Sequence, residues 1–316
     1  MGENPLVSVV IVNFNGRQFL RDCVVSVLAQ KHTPLEVVVI DNASTDGSVE
    51  MVKKEFPSVI VASNPKNLGF AEGYNIGIKK TRGNLIATLN NDITLAPDWV
   101  AEMIAATARH PRAGIFASKQ LNARNPLFID SAGLSLHRGM YGSGRGRGAL
   151  DQEQYDNEVE VFGACGAAAV FRKKMLDEIG LFDEDFFLYQ EELDLCWRAA
   201  WRGWKAVYVP GAVAYHIGGA TAGAGSAFVR YYMERNRILM LIKNLSLPLL
   251  MRYFPYLLKY ELDIILRLVL KREWEVARAR IDVFKYIGAM CKKRKVIQKG
   301  KVIPEKEFMR RIKGAR

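Results

Sequence analysis

The sequence predicts an α/β protein built on a mostly parallel sheet. Two observations carry that prediction. Through the first 90 residues, short β-branched runs alternate with stretches of helical periodicity. The runs are also apolar at nearly every position rather than at every second one, as in strands covered on both faces. At this spacing each strand–helix–strand unit is a right-handed crossover, which makes neighbouring strands parallel. The length of 316 residues suits one large α/β unit with an appendage, and 49% hydrophobic with 25% charged residues excludes a disordered or fibrous chain.

Taken in order, residues 7–12 (Val-Ser-Val-Val-Ile-Val) form the first strand. Residues 16–30 follow as a helix, with Phe19, Leu20, Cys23, Val24, Val27 and Leu28 on one face. Residues 36–41 are the second strand, and Ser44, Thr45 and Asp46 offer oxygens to cap a helix bearing Val49, Val52 and Phe56. Residues 59–61 form a short third strand, 69–80 a third helix and 85–89 a fourth strand. The middle is less regular. Residues 138–148 (Arg-Gly-Met-Tyr-Gly-Ser-Gly-Arg-Gly-Arg-Gly) carry too much glycine entropy for a regular element and read as a mobile loop. Residues 161–172 are a strand or strand pair, 183–203 open with acids and turn helical, and 205–209 form a strand ending at Pro210-Gly211. There are no internal repeats.

The formal net charge is +12, and it is unevenly placed. Residues 271–316 hold 16 Lys/Arg against 5 Asp/Glu, which leaves 29 against 28 in the rest of the chain. A neutral body with a basic tail predicts an anionic partner, lipid head groups or nucleic acid. Before that tail, residues 245–270 are rich in Leu, Ile, Tyr and Phe. There Lys259, Asp263, Arg267 and Lys271 recur every fourth residue on one helix face, opposite an apolar one. Such a helix either packs on the protein's own core or lies in a membrane surface, and the basic tail favours the surface. No apolar run reaches the ~18–20 residues that cross a bilayer. Residues 1–5 lead into no signal-peptide pattern. Cys23, Cys165, Cys196 and Cys291 show neither a disulfide framework nor CxxC spacing, which predicts a reducing, cytoplasmic setting.

Ligands of open parallel sheets bind at the carboxyl ends of the strands. Here those ends read Asn13-Phe14-Asn15, Asp41-Asn42-Ala43-Ser44, Asn64 and Asn90-Asn91-Asp92. Turn chemistry explains one such cluster, but four aimed at one rim point to a ligand site. Asp92 ends a strand and is a candidate ligand for Mg²⁺ or Mn²⁺. A lone carboxylate is a weak metal site, and His216, on a loop before Gly218-Gly219, is the candidate second ligand. A second acidic cluster, Glu191-Glu192-Leu193-Asp194, opens a helix where the macrodipole favours acids. There Asp194 is placed to pair with Arg198, and the aromatic surroundings (Phe186, Phe187, Tyr189, Trp197) suit a general base.

Together these residues resemble an inverting family 2 glycosyltransferase of the GT-A fold, in a branch similar to bacterial rhamnosyltransferase-like enzymes of cell-surface polysaccharide assembly. The likeness runs from about Leu6 to Leu245 and lies in an ordered set of motifs. These are the first strand with Asn13-Phe14-Asn15-Gly16, Asp41 to Gly47, Asn67-Leu68-Gly69-Phe70-Ala71, Asn75-Ile76-Gly77 and Leu89-Asn90-Asn91-Asp92. Gly163 to Ala168, the block from Phe182 to Arg198, His216 and Glu234-Arg235-Asn236 complete it. The resemblance implies a nucleotide site formed by Val12, Asn13, Asn15, Asp41, Asn67, Gly69 and Asn91, with Asp41 on the base. It implies a divalent metal, Mn²⁺ or Mg²⁺, held by Asp92 and His216 against the diphosphate. It further implies a catalytic base in the pair Glu191 and Glu192. The second acid of the pair is usually the base, and Glu192 stands where the family commonly has Asp, so the choice between the two stays open.

The implied reaction moves a sugar from a dTDP- or UDP-linked donor, dTDP-rhamnose among them, to a glycan or polyprenyl-linked acceptor with inversion. The implied organisation is a GT-A domain over residues 1–244, with a nucleotide half (1–95) and an acceptor half (96–244). Residues 245–316 then form amphipathic helices and a basic tail, holding the enzyme on the inner face of the plasma membrane or pairing two copies as a homodimer. Two other classes fit the sequence less well. A sugar-nucleotide nucleotidyltransferase would carry a Gly-rich basic loop after the first strand, where this chain has Asn13-Phe14-Asn15-Gly16. A nucleic-acid-binding tail would interleave aromatics with its charges, and the strand-end acids would repel a phosphate backbone, so no nucleic-acid partner is expected.

Overall fold

The computed structural model describes residues 5–219, 223 and 225–314. The predicted alternation is present: β1 (Val7–Asn13), α1 (Arg17–Leu28), β2 (Leu35–Asp41), α2 (Ser48–Glu55), β3 (Ile60–Ser63), α3 (Gly69–Lys80) and β4 (Leu85–Asn90). These four strands lie parallel in the order β4-β1-β2-β3. Because both sheet faces are covered, each strand splits its apolar residues between two cores. Val7, Val9 and Ile11 meet Leu20, Val24 and Val27 of α1, whereas Val10 and Val12 meet Ala71, Tyr74 and Ile78 of α3. The side-chain cap predicted at residues 44–46 is not formed: Gly47 takes the N-cap position, and Asp46 before it accepts from Ser48 N at 3.1 Å. The Ser44 hydroxyl turns instead to Asn13 and the Asn15 amide.

Beyond β4 come β5 (Ile93–Leu95), α4 (Trp99–Arg109), β6 (Ala113–Asn122), β7 (Ile129–Ser131), β8 (Leu134–Leu136), β9 (Gly142–Gly144), β10 (Val159–Val161), β11 (Ala168–Arg172), α5 (Lys173–Ile179), α6 (Glu191–Trp201) and β12 (Lys205–His216). Antiparallel β11 inserts between β4 and β6, and β12 runs parallel to β6, so the sheet is mixed but mostly parallel. Residues 161–172 thus hold one whole strand, β11, and only the last residue of β10, and the two do not pair with each other.

Two expectations are corrected. The glycine-rich stretch 138–148 contains β9, paired with β8 as a hairpin. Its glycines serve close packing: a Cβ at Gly142 would lie 2.7 Å from Leu193 Cδ2, and one at Gly144 would lie 2.8 Å from the Asp130 carbonyl. The strand expected to stop at Pro210-Gly211 continues to His216. The register jumps between Val209 and Val213, so the proline, which has no N–H to give, sits in a bulge. His216 is therefore the last residue of a strand, not part of a following loop.

Past the sheet, α7 (Ala227–Asn244), α8 (Leu247–Lys271), α9 (Trp274–Asp282), α10 (Ile287–Lys299) and α11 (Glu305–Gly314) follow. Much of the basic tail is folded onto the body. Phe308 of α11 is fully buried and stacks on Trp201 with ring centroids 4.1 Å apart. Lys293 of α10 pairs with Asp183 and Asp185, and Arg294 donates to the carbonyls of Ile242 and Leu245. The α8 helix has one apolar face packed on the core, as one reading of its sequence expects, and a second left exposed. Leu249, Tyr253, Leu257 and Ile264 pack inward, while Met251, Phe254, Leu258, Leu262, Ile265 and Val269 stand in solvent. No helix among the described residues is long and apolar enough to cross a membrane.

Candidate active site

A cavity of about 680 Å³ opens at the carboxyl ends of β1 and β4. One side of it is the predicted rim. Asn13 is fully buried and acts as its hub. The Asn13 amide donates to Asp41 Oδ1 (3.0 Å) and Ser44 Oγ (3.1 Å), and Asn13 Oδ1 accepts from Asn91 Nδ2 (2.8 Å). Asp41 Oδ2 accepts from Ser44 N (2.9 Å), so this carboxylate braces the loop that follows it. Asn42 reaches across to the Gly69 carbonyl (3.0 Å), and Asn67 Oδ1 accepts from the Gly69 amide (2.9 Å). Gly69 has φ +78°, and a Cβ there would sit 2.3 Å from the Phe187 carbonyl, so only glycine lets the two walls meet.

Of the expected nucleotide residues, Val12, Asn67, Gly69 and Asn91 line the cavity. Asn13, Asn15 and Asp41 do not, being engaged with one another's loops behind the wall. Asn42 is the lining residue at that strand end.

Asp92 and His216 come together because β5, just after Asp92, pairs with the end of β12 in a register that sets Ile93 against His216. His216 Nε2 lies 3.4 Å from Asp92 Oδ1, and Nδ1 lies 2.7 Å from Asp130 Oδ2. Burial works to lower the imidazole pKa, but the two carboxylates outweigh it and hold it at about 9. Among the described residues no group of three or more His, Cys, Asp or Glu gathers as a metal cage. Asp130 was not foreseen, since a lone acid in the short β7 has no spacing signal. Arg147 reaches Asp130 Oδ1 at 3.5 Å and also lines the cavity.

Glu191 and Glu192, at the start of α6, line the same cavity. Burial pushes the Glu191 carboxyl well above the usual range, and the neighbouring Glu192 adds to the rise. Burial also raises Glu192. Each keeps one carboxylate oxygen out of solvent without a protein hydrogen-bond partner.

The backbone that delivers the pair is strained: Phe187, Tyr189 and Gln190 have φ of +64°, +67° and +71°. It is held from α7. Asn236 Nδ2 donates to the carbonyls of Phe186, Leu188 and Tyr189 (2.8, 2.8 and 2.7 Å), and Arg235 donates to those of Asp185 and Phe186. Asp194 is expected to pair with Arg198 and does so at 2.8 Å, while Lys243 and Asn244 of α7 bond the same carboxylate. The same cavity is thus lined by the Glu191 and Glu192 carboxyls and by the Asp92–His216 pair.

Residues 8–180 match the glycosyl transferase family 2 across more than half of the chain. The chain belongs to that family. It is a glycosyltransferase of GT-A fold. Over 240 residues it is 27% identical to the N-acetylglucosaminyl-diphospho-decaprenol L-rhamnosyltransferase of Mycobacterium tuberculosis, covering 67% of this chain and 76% of that one. Over 129 residues it is 28% identical to the putative teichuronic acid biosynthesis glycosyltransferase TuaG of Bacillus subtilis, covering 40% and 51%. The solved structure of GalNAc-T7 with UDP, GalNAc and Mn²⁺ superposes with TM-score 0.61 at 20% identity, over 77% of this chain and 48% of that chain. The mannosyltransferase PcManGT of Pyrobaculum calidifontis, with GDP-Man and Mn²⁺, gives 0.56 at 17% identity, over 90% and 76%.

Proposed function

We propose that this glycosyltransferase moves a sugar from a nucleoside-diphosphate donor to a hydroxyl of a lipid-linked glycan, with inversion, in cell-surface polysaccharide synthesis. The observation that carries the reading is the buried Glu191–Glu192 pair facing Asp92 and His216 across one cavity. Two adjacent buried carboxyls do not both ionise easily. Both line the cavity and Glu192 is the less buried of the two, so Glu192 is taken as the base.

Glu192 takes the proton of the acceptor hydroxyl as its oxygen attacks the anomeric carbon from the face opposite the leaving diphosphate. Burial suits this role, because a carboxylate denied water is more basic. Asn42, Asn67, Gly69 and Asn91 hold the nucleoside on the other wall. The donor set of Asp92 and His216 fits Mn²⁺ or Mg²⁺ in a shell that substrate phosphates complete. Asp130 fixes the ring through Nδ1, as carboxylates behind metal-bound histidines do. When bound there, the ion would supply positive charge to the diphosphate. The similarity to a rhamnosyltransferase of a decaprenyl-linked substrate makes dTDP-rhamnose the first donor to test.

The test is turnover of UDP- and dTDP-sugars, with and without Mn²⁺, by wild type, Glu192→Gln and Glu191→Gln. One preferred donor, with Glu192→Gln binding it but failing to turn it over, supports the reading. Full turnover by Glu192→Gln would remove Glu192 from the chemistry.

We also propose that the solvent-facing stripe of α8 lies in an anionic membrane surface on the cytoplasmic side. Exposed apolar runs of this size mark an interaction face. Arg252, Lys259, Lys271 and Arg272 flank it with charge of the sign such a surface attracts.

A further inference from the structure

The glycine-rich segment 138–148 carries three arginines, and the fold sends each to a different place. Arg138 donates to the Tyr256 hydroxyl at 2.7 Å and lies over its ring. Arg145 stacks over Tyr155, 4.7 Å from the ring centroid. Only Arg147 turns to the active-site cavity, and it is the only Lys or Arg among the described residues that lines it.

The cavity needs a cation. Its wall holds Asp92, Asp130, Glu191 and Glu192, and the ligand proposed above brings a diphosphate. The strand end that would anchor a counter-ion is poor in charge, because Asn90-Asn91-Asp92 contains a single carboxylate. Its two amides carry no charge and each has one atom engaged: Asn90 Oδ1 accepts from the Tyr74 hydroxyl, and Asn91 Nδ2 donates to Asn13 Oδ1. Arg147 stands at that end. It pairs with Asp130, which bonds His216, which faces Asp92. The Arg147–Asp130 contact is long, at 3.5 Å, and the side chain is 68% exposed, so its fork is open to a second partner. Cys165 and Tyr189, which line the same cavity, lie within reach of its charge.

The backbone fixes where this arginine starts from. Gly146 and Gly148, on either side, have φ of +73° and +78°, which turn the chain tightly. Both flanks are tied down: Arg145 N donates to the Gly133 carbonyl and Gly148 N to the Ile129 carbonyl, each at 2.8 Å. The turn is thus anchored at its root and presents one long cation from its tip.

We propose that Arg147 binds the phosphate next to the sugar and neutralises it as the sugar leaves, a role that rests on the transferase reading above. As the bond from acceptor oxygen to anomeric carbon forms, the bond from that carbon to the phosphate oxygen breaks. The electron pair stays on the diphosphate, and the acceptor proton passes to Glu192. A planar guanidinium with paired donors suits the oxygen that gains this charge.

The experiment titrates UDP, dTDP, UMP and dTMP into wild type, Arg147→Ala, Arg147→Gln and Arg147→Lys in the presence of Mg²⁺, alongside donor turnover. Arg147→Ala and Arg147→Gln are expected to bind the diphosphate at least about tenfold more weakly, as for loss of a charge-assisted bond, with a similar or larger fall in kcat. Monophosphate affinity stays unchanged, and Arg147→Lys recovers part of both losses. Glutamine keeps a hydrogen bond to Asp130 without the charge, so wild-type behaviour of Arg147→Gln would assign the residue to loop positioning and overturn the proposal. Equal losses for mono- and diphosphate, or unchanged diphosphate binding and turnover in Arg147→Ala, would overturn it too. Wild type that binds no diphosphate would instead overturn the transferase reading itself.

Discussion

The two walls of the active-site cavity are held in opposite ways. The nucleotide-side wall supports itself locally: Asn13, Asp41, Ser44 and Asn91 sit at the ends of adjacent strands and bond one another. The opposite wall cannot hold its own shape. Phe187, Tyr189 and Gln190 have positive φ, and the carbonyls of Phe186, Leu188 and Tyr189 are satisfied by Asn236 and Arg235, about fifty residues later. A parallel sheet dictates where its strand ends fall, so polar residues there find each other from register alone. A loop carrying a general base has no such lattice and must borrow rigidity from another element, here α7.

The sharpest way to break the borrowed wall is to remove the buried ammonium beneath it. Lys243 is 2% exposed and bonds both Asp183 and Asp194. Lys243→Met should cost about 3–5 kcal/mol in denaturant unfolding, because it strands buried carboxylates. A loss under about 1 kcal/mol would show that Arg198 and Lys293 suffice.

The same cluster sets an acid limit. Burial acts to raise the Asp194 carboxyl, but Lys243 and Arg198 outweigh it and hold it at about 2, below its ordinary 3.8. Because the unfolded carboxyl takes up its proton first, this stabilisation is complete above about pH 4. It is lost as the pH falls through about 2. Stability that stayed flat from pH 4 to 2 would contradict the pairing.

The next cut is at the loop itself. Asn236→Ala takes the side-chain donor from the Leu188 and Tyr189 carbonyls, while Phe186 keeps Arg235, and should destabilise by about 1–3 kcal/mol. Its distinguishing effect is on chemistry: kcat should fall more than about tenfold as Glu192 loses its aim, while nucleoside diphosphate affinity holds. If affinity fell as much as turnover, the two walls would not be independent.

These differences decide what could be read in the sequence. The four parallel strands, their polar ends and the acids of α6 all follow from periodicity and position. Asp130 and Arg147 do not, because nothing in the spacing of β7 or of the glycine-rich turn says which way they face. The path of residues 205–216 was misjudged for a related reason. Pro210-Gly211 reads locally as a stop, but pairing with β6 and β5 carries the strand through a bulge and so delivers His216. Long-range pairing overrode a local signal, and the metal-site candidate depends on that override.

A smaller effect tests the self-supporting wall. Asn13→Ala removes the hub and leaves Asp41 and Asn91 short of a partner, at a cost of about 1–3 kcal/mol. Nucleotide affinity should weaken, while the pH dependence of the Glu191–Glu192 pair stays as in wild type. A shifted pH–rate profile would mean that the walls are coupled through Asn91.

The least effect on stability, and the largest on location, is expected where neither wall is touched. Leu262, Ile265 and Val269 of α8 are 56%, 53% and 70% exposed, so changing all three to Gln should move unfolding by no more than about 0.5 kcal/mol per site. Removing residues 245–316 would be a poor substitute, since it takes Phe308 out of the core and Lys293 from Asp183. Glutamine keeps the charge constant, so any loss of binding reports apolar contact alone. Wild type should sediment with phosphatidylglycerol vesicles and less with phosphatidylcholine, and the triple variant should lose most of that binding. If wild type stays in solution as a dimer that the same three changes convert to monomer, the stripe joins two copies of the chain and the membrane reading fails. Donor turnover in detergent-free buffer should be equal for both proteins, because none of the three residues lines the cavity and Glu192 takes its aim from α7.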